Sequence, residues 1–245
     1  MKYKKQIRLG PFTLNMNDQQ WRLFLVAVAV FVCLIIIGLV SLIHNRPVRN
    51  NYITTRSEAL GLPPFITDEM VFTLLQTQSS YGLPASTGLA QIIQESGFGS
   101  FGPHGESGQG LSELAYSYNN LFGIKYWEHS FRVNFKVGSV EMLTFEDEGE
   151  NYDWRDYAFM TFGSFHDCII FRSKMLQASP YAENVSPWLN ANDGAYTSER
   201  ANGFAEALTA AGWATHGIYD QQLIALMEQW DLYRFDNMSK ADFLR

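Results

Sequence analysis

The chain has 245 residues, of which 47% are hydrophobic, 18% charged and 15% aromatic, with a formal charge of −7. That composition excludes a disordered chain, which needs low hydrophobicity and high charge, and 19 glycines with 8 prolines exclude a collagen-like or proline-rich fibre. The acidic balance excludes a general nucleic-acid binder, whose footprint is basic, and two cysteines, Cys33 and Cys168, cannot build a disulfide framework.

Residues 1–22 read as an N-terminal tail on the inner side of a membrane. Residues 23–43, LFLVAVAVFVCLIIIGLVSLI, carry no charge. At about 1.5 Å per residue such a run crosses a hydrocarbon core of roughly 30 Å, so it predicts a transmembrane signal-anchor helix. A cleaved signal peptide would have a shorter apolar core and a small-residue cleavage site. Here His44-Asn45-Arg46-Pro47 follows instead. Lys2, Lys4, Lys5, Arg8 and Arg22 precede the run, and Arg46, Arg49 and Arg56 follow it. That bias predicts a single-pass protein of the cell membrane with the N-terminus inside and the remainder extracytoplasmic. Of 18 Lys+Arg, 5 precede the run; of 25 Asp+Glu, only Asp18 does; the remainder therefore carries −11. Cys168 would be the lone cysteine outside, and its apolar setting, Cys168-Ile169-Ile170-Phe171, predicts a buried small hydrophobe.

Residues 44–64 lack clear periodicity and end in Leu62-Pro63-Pro64, which reads as a stalk. Residues 65–245 are enough for one well-buried domain. Thr67 is an N-cap candidate, with Asp68 and Glu69 in the favourable first turn of a helix that Gly82 and Pro84 end. A second helix starts near Ala85, carries Leu89, Ile92 and Ile93 on one face and ends at Gly97. A short helix follows over 112–118. Phe131, Val133, Phe135 and Val137 alternate with polar residues, predicting a strand that turns at Gly138 and returns over 140–145. Helices over 164–178, 198–211 and 219–230 complete the domain, the last two with apolar stripes at helical spacing. The predicted class is α+β, mostly helical with one small β-hairpin lobe.

Two segments stand out chemically. Gln91-Ile92-Ile93-Gln94-Glu95-Ser96-Gly97-Phe98-Gly99 places a carboxylate at the end of an apolar helix. Partial desolvation there would keep a carboxyl protonated near neutrality, as a general acid requires. The flanking glycines would lower the wall of side chains and admit a polymer. Alone, a Glu at a helix end is usually a solvated surface residue. About 25 residues on comes Asn119-Asn120-Leu121-Phe122-Gly123-Ile124-Lys125, which alone reads as a turn followed by core.

Together, Gln91, Glu95-Ser96-Gly97, Gly99 and Asn120-Leu121-Phe122-Gly123-Ile124-Lys125 resemble glycoside hydrolase family 73, a family of peptidoglycan glucosaminidases that includes flagellar and autolysin-type enzymes. Thr144-Phe145-Glu146 matches its Thr-x-Glu landmark; Tyr157 to Asp167 matches a further segment loosely. The resemblance spans about residues 66–233. It implies a lysozyme-like fold that cleaves β-1,4 bonds of the glycan strand on the N-acetylglucosamine side. It implies Glu95 as general acid and Glu146 as the second carboxylate. Gln91, Asn120, Phe122, Lys125, Tyr157 and Trp213 are the implied substrate contacts. No cofactor or metal is implied, and the five histidines lack zinc-ligand spacing. Trp213 and His216 stand where the family has Tyr and Asp, which puts an aromatic hydroxyl in doubt. Partners would be peptidoglycan strands, the membrane and an envelope-spanning secretion, conjugation or phage machine. Two rival readings are a lytic transglycosylase, which shares a Glu-Ser at a helix end, and a non-catalytic wall-binding or assembly protein.

Overall fold

The computed structural model describes residues 5–9, 12–16, 55–127, 135, 137–147, 152–189, 196–214 and 217–245. The chain divides into two units, Met1–Arg49 and Asn50–Arg245. The expected membrane helix, 23–43, lies outside the described residues. Among those described, no helix is long and apolar enough to cross a membrane. In the first unit, the expected tail contains an antiparallel hairpin of β1 (Lys5–Leu9) and β2 (Phe12–Met16), in which Leu9 pairs with Phe12.

The second unit is helical with one long β-ribbon, as the α+β reading expects. It begins earlier than residue 65. Helix α1 (Thr55–Ala59) packs on α2 (Asp68–Tyr81), and the Ser57 N–H donates to Asp68 Oδ1 at 2.7 Å. Ser57 and Leu62 are buried, so residues 55–64 belong to the domain and not to a stalk. Thr67 caps α2, its hydroxyl accepting from the Met70 N–H, and Gly82 ends it in a left-handed conformation.

Helix α3 (Ala85–Ser96) is the centre of the unit. The sequence predicts one apolar face, yet every residue from Ala85 to Ile93 is buried. Neighbours surround it: α2, α7 (Ser198–Ala210) and α8 (Tyr219–Gln229). Small residues permit this closeness; a methyl on Gly88 would lie 2.4 Å from Leu74 Cδ2. Pro84 offers no side-chain cap. The free N–H groups of the first turn are met from afar instead. Ala85 donates to Gln78 Oε1 at 2.9 Å and Ser86 to Asp236 Oδ1 at 2.8 Å.

After α3 come β3 (Gly97–Gly99) and β4 (Gly110–Leu111), an antiparallel pair, and α4 (Glu113–Tyr118), capped by Ser112. The hairpin register differs from the expected one. Gly138 opens a strand rather than turning one: β5 (Gly138–Asp147) pairs with β6 (Tyr152–Thr161), Gly138 opposite Thr161 and Asp147 opposite Tyr152. Leu143 and Trp154 are 58% and 60% exposed, so large apolar side chains stand on the solvent side of the ribbon, against the pattern that strand prediction assumes. The rest is α5 (Phe165–Met175), packed on α2, then α6 (Ala182–Leu189), packed on α7, then α7 and α8, then a 3-10 turn, Leu232–Phe235, and α9 (Lys240–Phe243). The sequence reading gave no helix at α6, which contains Pro187.

Candidate active site

Glu95 sits in the last turn of α3, half-buried. Its Oε1 accepts a hydrogen bond from the Tyr219 hydroxyl at 2.8 Å. The Tyr219 oxygen in turn accepts from Gln91 Nε2 at 3.0 Å. Gln91 Oε1 accepts from Arg172 Nε at 2.8 Å and also from Arg172 Nη2. Four side chains from α3, α5 and α8 thus form one line, with only Glu95 reaching solvent. Burial, and then the charge of Glu95, holds the Tyr219 hydroxyl well above its ordinary pKa, so it stays a proton donor in the hydrogen bond. Burial lowers Arg172 to about 10, which leaves it cationic at neutral pH.

The segment 119–125 forms the second wall. Asn119 is left-handed (φ 56°) and its amide donates to Phe162 O at 2.9 Å. Asn120 Nδ2 donates to Ile124 O and Met160 O, both at 2.9 Å, and its Oδ1 accepts from Ile124 N–H at 2.9 Å and from Phe122 N–H at 3.4 Å. The loop is pinned to α3 through Ser96 Oγ, which donates to Leu121 O at 2.8 Å. Gly123, at φ +61°, brings its backbone to the carboxylate: a methyl there would lie 3.6 Å from Glu95 Oε2. Beneath the loop, the Cys168 thiol is buried, as expected, and burial pushes it to about 12.

This geometry corrects several expected contacts. Gln91 and Asn120 are fully buried and every strong hydrogen-bonding atom of Asn120 is engaged within the protein. Phe122 is also buried, and its ring lies 5.0 Å from the Arg172 guanidinium. In this structure these three stand behind the site rather than on its surface. The glycines after Glu95 do not open a groove either: a methyl on Gly97 would strike Phe65 at 2.4 Å, and one on Gly99 the Leu111 carbonyl at 2.1 Å. Lys125 and Tyr157 remain partly exposed, with Lys125 Nζ 3.8 Å from the Tyr157 ring centroid. Trp213 is half-buried, 5.6 Å from Tyr181 and 6.0 Å from the Arg172 guanidinium. Glu146 lies on β5 opposite Asp153; its side chain, like His216 and residues 148–151, is outside the described residues.

Tyr219 and Arg172 were not among the expected site residues. The hydroxyl thought lost at Trp213 is supplied to Glu95 by Tyr219, six positions later. A signal existed. Tyr219 falls in phase with buried Leu223 and Met227, and Arg172 with buried Cys168 and Ile169. A polar group on a core stripe needs a partner.

A glucosaminidase family model, described as mannosyl-glycoprotein endo-beta-N-acetylglucosaminidase, matches residues 73–232. The chain belongs to the glucosaminidase family. This glucosaminidase is a glycoside hydrolase, and all four members of the Arg172–Glu95 line fall within the matched span. No curated protein matches it. Among solved structures, the catalytic domain of the autolysin Auto from Listeria monocytogenes has a TM-score of 0.51 at 21% identity, covering 74% of this chain and 88% of that one. That likeness shows the fold. A peptidoglycan hydrolase mutant from Sphingomonas sp. A1 aligns at a TM-score of 0.46 and 22% identity, over 66% of this chain and 91% of its own. A truncated glycoside hydrolase domain of Salmonella typhimurium FlgJ gives 0.44 and 22%, over 66% and 93%.

Proposed function

We propose that this glucosaminidase is a membrane-anchored peptidoglycan hydrolase that cuts the glycan strand on the N-acetylglucosamine side, with Glu95 as general acid. The observation that carries the acid assignment is the half-buried placement of the Glu95 carboxyl beside the glycine backbone of the Asn-Leu-Phe-Gly loop. The Tyr219 hydroxyl, 2.8 Å away, holds that carboxyl in orientation. The family description supports the N-acetylglucosaminide bond, and the motif resemblance supports peptidoglycan as its source.

Cleavage requires a proton on the leaving glycosidic oxygen and, on the opposite face of the sugar, an activated water or nucleophile. Glu95 delivers the proton. Glu146 serves as base. By the two-residue strand period, position 146 shares a ribbon face with position 142, whose partner is Tyr157, and Tyr157 meets Lys125 of the site loop. Lys125, Tyr157 and Trp213 then offer a charge and ring faces for sugar. The uncharged run at 23–43 supports an anchor that restricts cutting to nearby wall, which suits growth or the passage of an envelope-spanning machine.

The test is hydrolysis of purified peptidoglycan. Glu95→Gln should lower the rate by about 10²–10⁴ with folding and wall binding retained. Products should end in reducing N-acetylglucosamine. Anhydromuramic ends would instead identify a transglycosylase, and no cleavage at all a binding module. Glu146→Gln should also be slow, whereas Glu148→Gln and Glu150→Gln should be near normal. If none of the three matters, the substrate's own acetamide replaces Glu146.

A further inference from the structure

The line from Arg172 to Glu95 has a direction that chemistry forces. A guanidinium carries only donors. The Gln91 atom facing Arg172 Nε at 2.8 Å must therefore be its carbonyl oxygen. The amide nitrogen then points the other way and donates to the Tyr219 oxygen at 3.0 Å. With that oxygen already accepting, the one hydroxyl hydrogen of Tyr219 goes to Glu95 Oε1 at 2.8 Å. Oε1 is thus a fixed acceptor, and the Tyr219 hydrogen is committed to it. Oε2 is the oxygen that faces Gly123.

We propose that Arg172 is a positioning residue that, acting through Gln91 and Tyr219, directs the Tyr219 hydroxyl hydrogen onto Glu95 Oε1 and so holds the acid in orientation beside Gly123. The proposal rests on Glu95 being the general acid. It also accounts for a costly feature. Arg172 is completely buried, no carboxylate pairs with it among the described residues, and its Nη1 has no hydrogen-bond partner among them. Burying a cation in this way is expensive. A neutral residue packed between Phe122 and Trp213 would serve the core better, but could not orient Gln91 by charge.

Among the described residues, the titratable groups along the line are Glu95 on α3, Tyr219 on α8, and Arg172 with Cys168 on α5. Gln91→Glu is nearly isosteric and keeps an acceptor for Arg172, so the packing survives. It replaces the donor to Tyr219 with an acceptor, and the tyrosine hydrogen is drawn away from Glu95. Loss of a hydrogen bond to the ionised form raises a carboxyl pKa.

The experiment is the pH profile of kcat/KM on peptidoglycan, paired with titration of the Glu95 side-chain carbon in 13C-labelled full-length protein. In Gln91→Glu and Tyr219→Phe, the alkaline limb and the carbon titration should both move up by about one pH unit, and the plateau should fall about tenfold or more. Arg172→Met should move them the same way. Arg172→Lys, which retains a donor to Gln91 Oε1, should bring them back toward wild type. An unmoved limb and titration in folded Gln91→Glu and Tyr219→Phe overturn the proposal, as does an Arg172→Lys variant no closer to wild type than Arg172→Met. Full hydrolysis by Glu95→Gln would instead remove the acid assignment itself, a distinct result.

Discussion

At the scale of single residues, Gly123 decides how closely the loop approaches the carboxyl. Its φ of +61° is costly for a residue with a side chain, by about 1–2 kcal/mol. The added methyl would not clash, since it would lie 3.6 Å from Glu95 Oε2. Gly123→Ala should therefore fold, with a stability loss of about 1–2 kcal/mol in thermal unfolding. Its activity should fall further than stability explains, about tenfold or more in kcat/KM, because the methyl narrows the approach to the carboxyl. Activity equal to wild type in a folded variant would show that substrate does not approach from this side. The same neighbourhood shows what was legible in the sequence. Glu95 and the Asn-Leu-Phe-Gly loop could be paired from their motifs. The facing of Gln91, Asn120 and Phe122 could not, because their orientation depends on distant partners: Arg172 for Gln91 and Phe122, and Met160 for Asn120.

At the scale of elements, local signals set the helix limits well where capping is local, as at Thr67, Ser112 and Ser164. They failed where the partner is remote or the face is exposed. Ribbon β5–β6 keeps Leu143 and Trp154 in solvent, so its register could not be inferred from burial alternation. Helix α3 takes its N-terminal partner from Asp236, 150 positions away: Oδ1 accepts from Ser86 N–H at 2.8 Å and Oδ2 from Ser86 Oγ at 2.6 Å. Asp236 is 2% exposed, and burial pushes its carboxyl from 3.8 up to about 6 despite those hydrogen bonds. The folded protein therefore holds this proton more tightly than the unfolded chain. Stability from this site is greatest below pH 4 and falls as pH rises to 6, after which the loss is complete. A shift of that size corresponds to roughly 2–3 kcal/mol. Asp236→Asn cannot titrate, so the stability of wild type relative to it should decline by about that amount between pH 4 and pH 7 in denaturant unfolding. A difference independent of pH would show that Asp236 is already ionised at pH 4.

At the scale of the whole molecule, the question is where the domain begins. Composition placed its start at residue 65, because 44–64 lacks periodicity and ends in two prolines. Packing places it no later than Thr55. Asp68, the first residue of α2, accepts from Ser57 N–H at 2.7 Å and from Arg56 N–H at 3.3 Å. Leu62 is 4% exposed within the core, and Arg234 Nη2 donates to the Leu60 carbonyl. None of these has a local sequence signature; each joins a short segment to an element later in the chain. A chain beginning at residue 50 keeps all of them, while one beginning at residue 65 leaves Asp68 and Arg234 without these partners and uncovers the surface under Leu62. Burial of one leucine alone contributes about 1.5–3 kcal/mol. The shorter chain should therefore unfold at least about 3 kcal/mol more easily than the chain from residue 50. The chain from residue 50 should hydrolyse solubilised peptidoglycan as well as the full protein, yet leave the membrane fraction, because the apolar run at 23–43 is gone. Equal stability of the two truncations would return the boundary to residue 65, and continued sedimentation of the chain from residue 50 with membranes would remove 23–43 as its anchor.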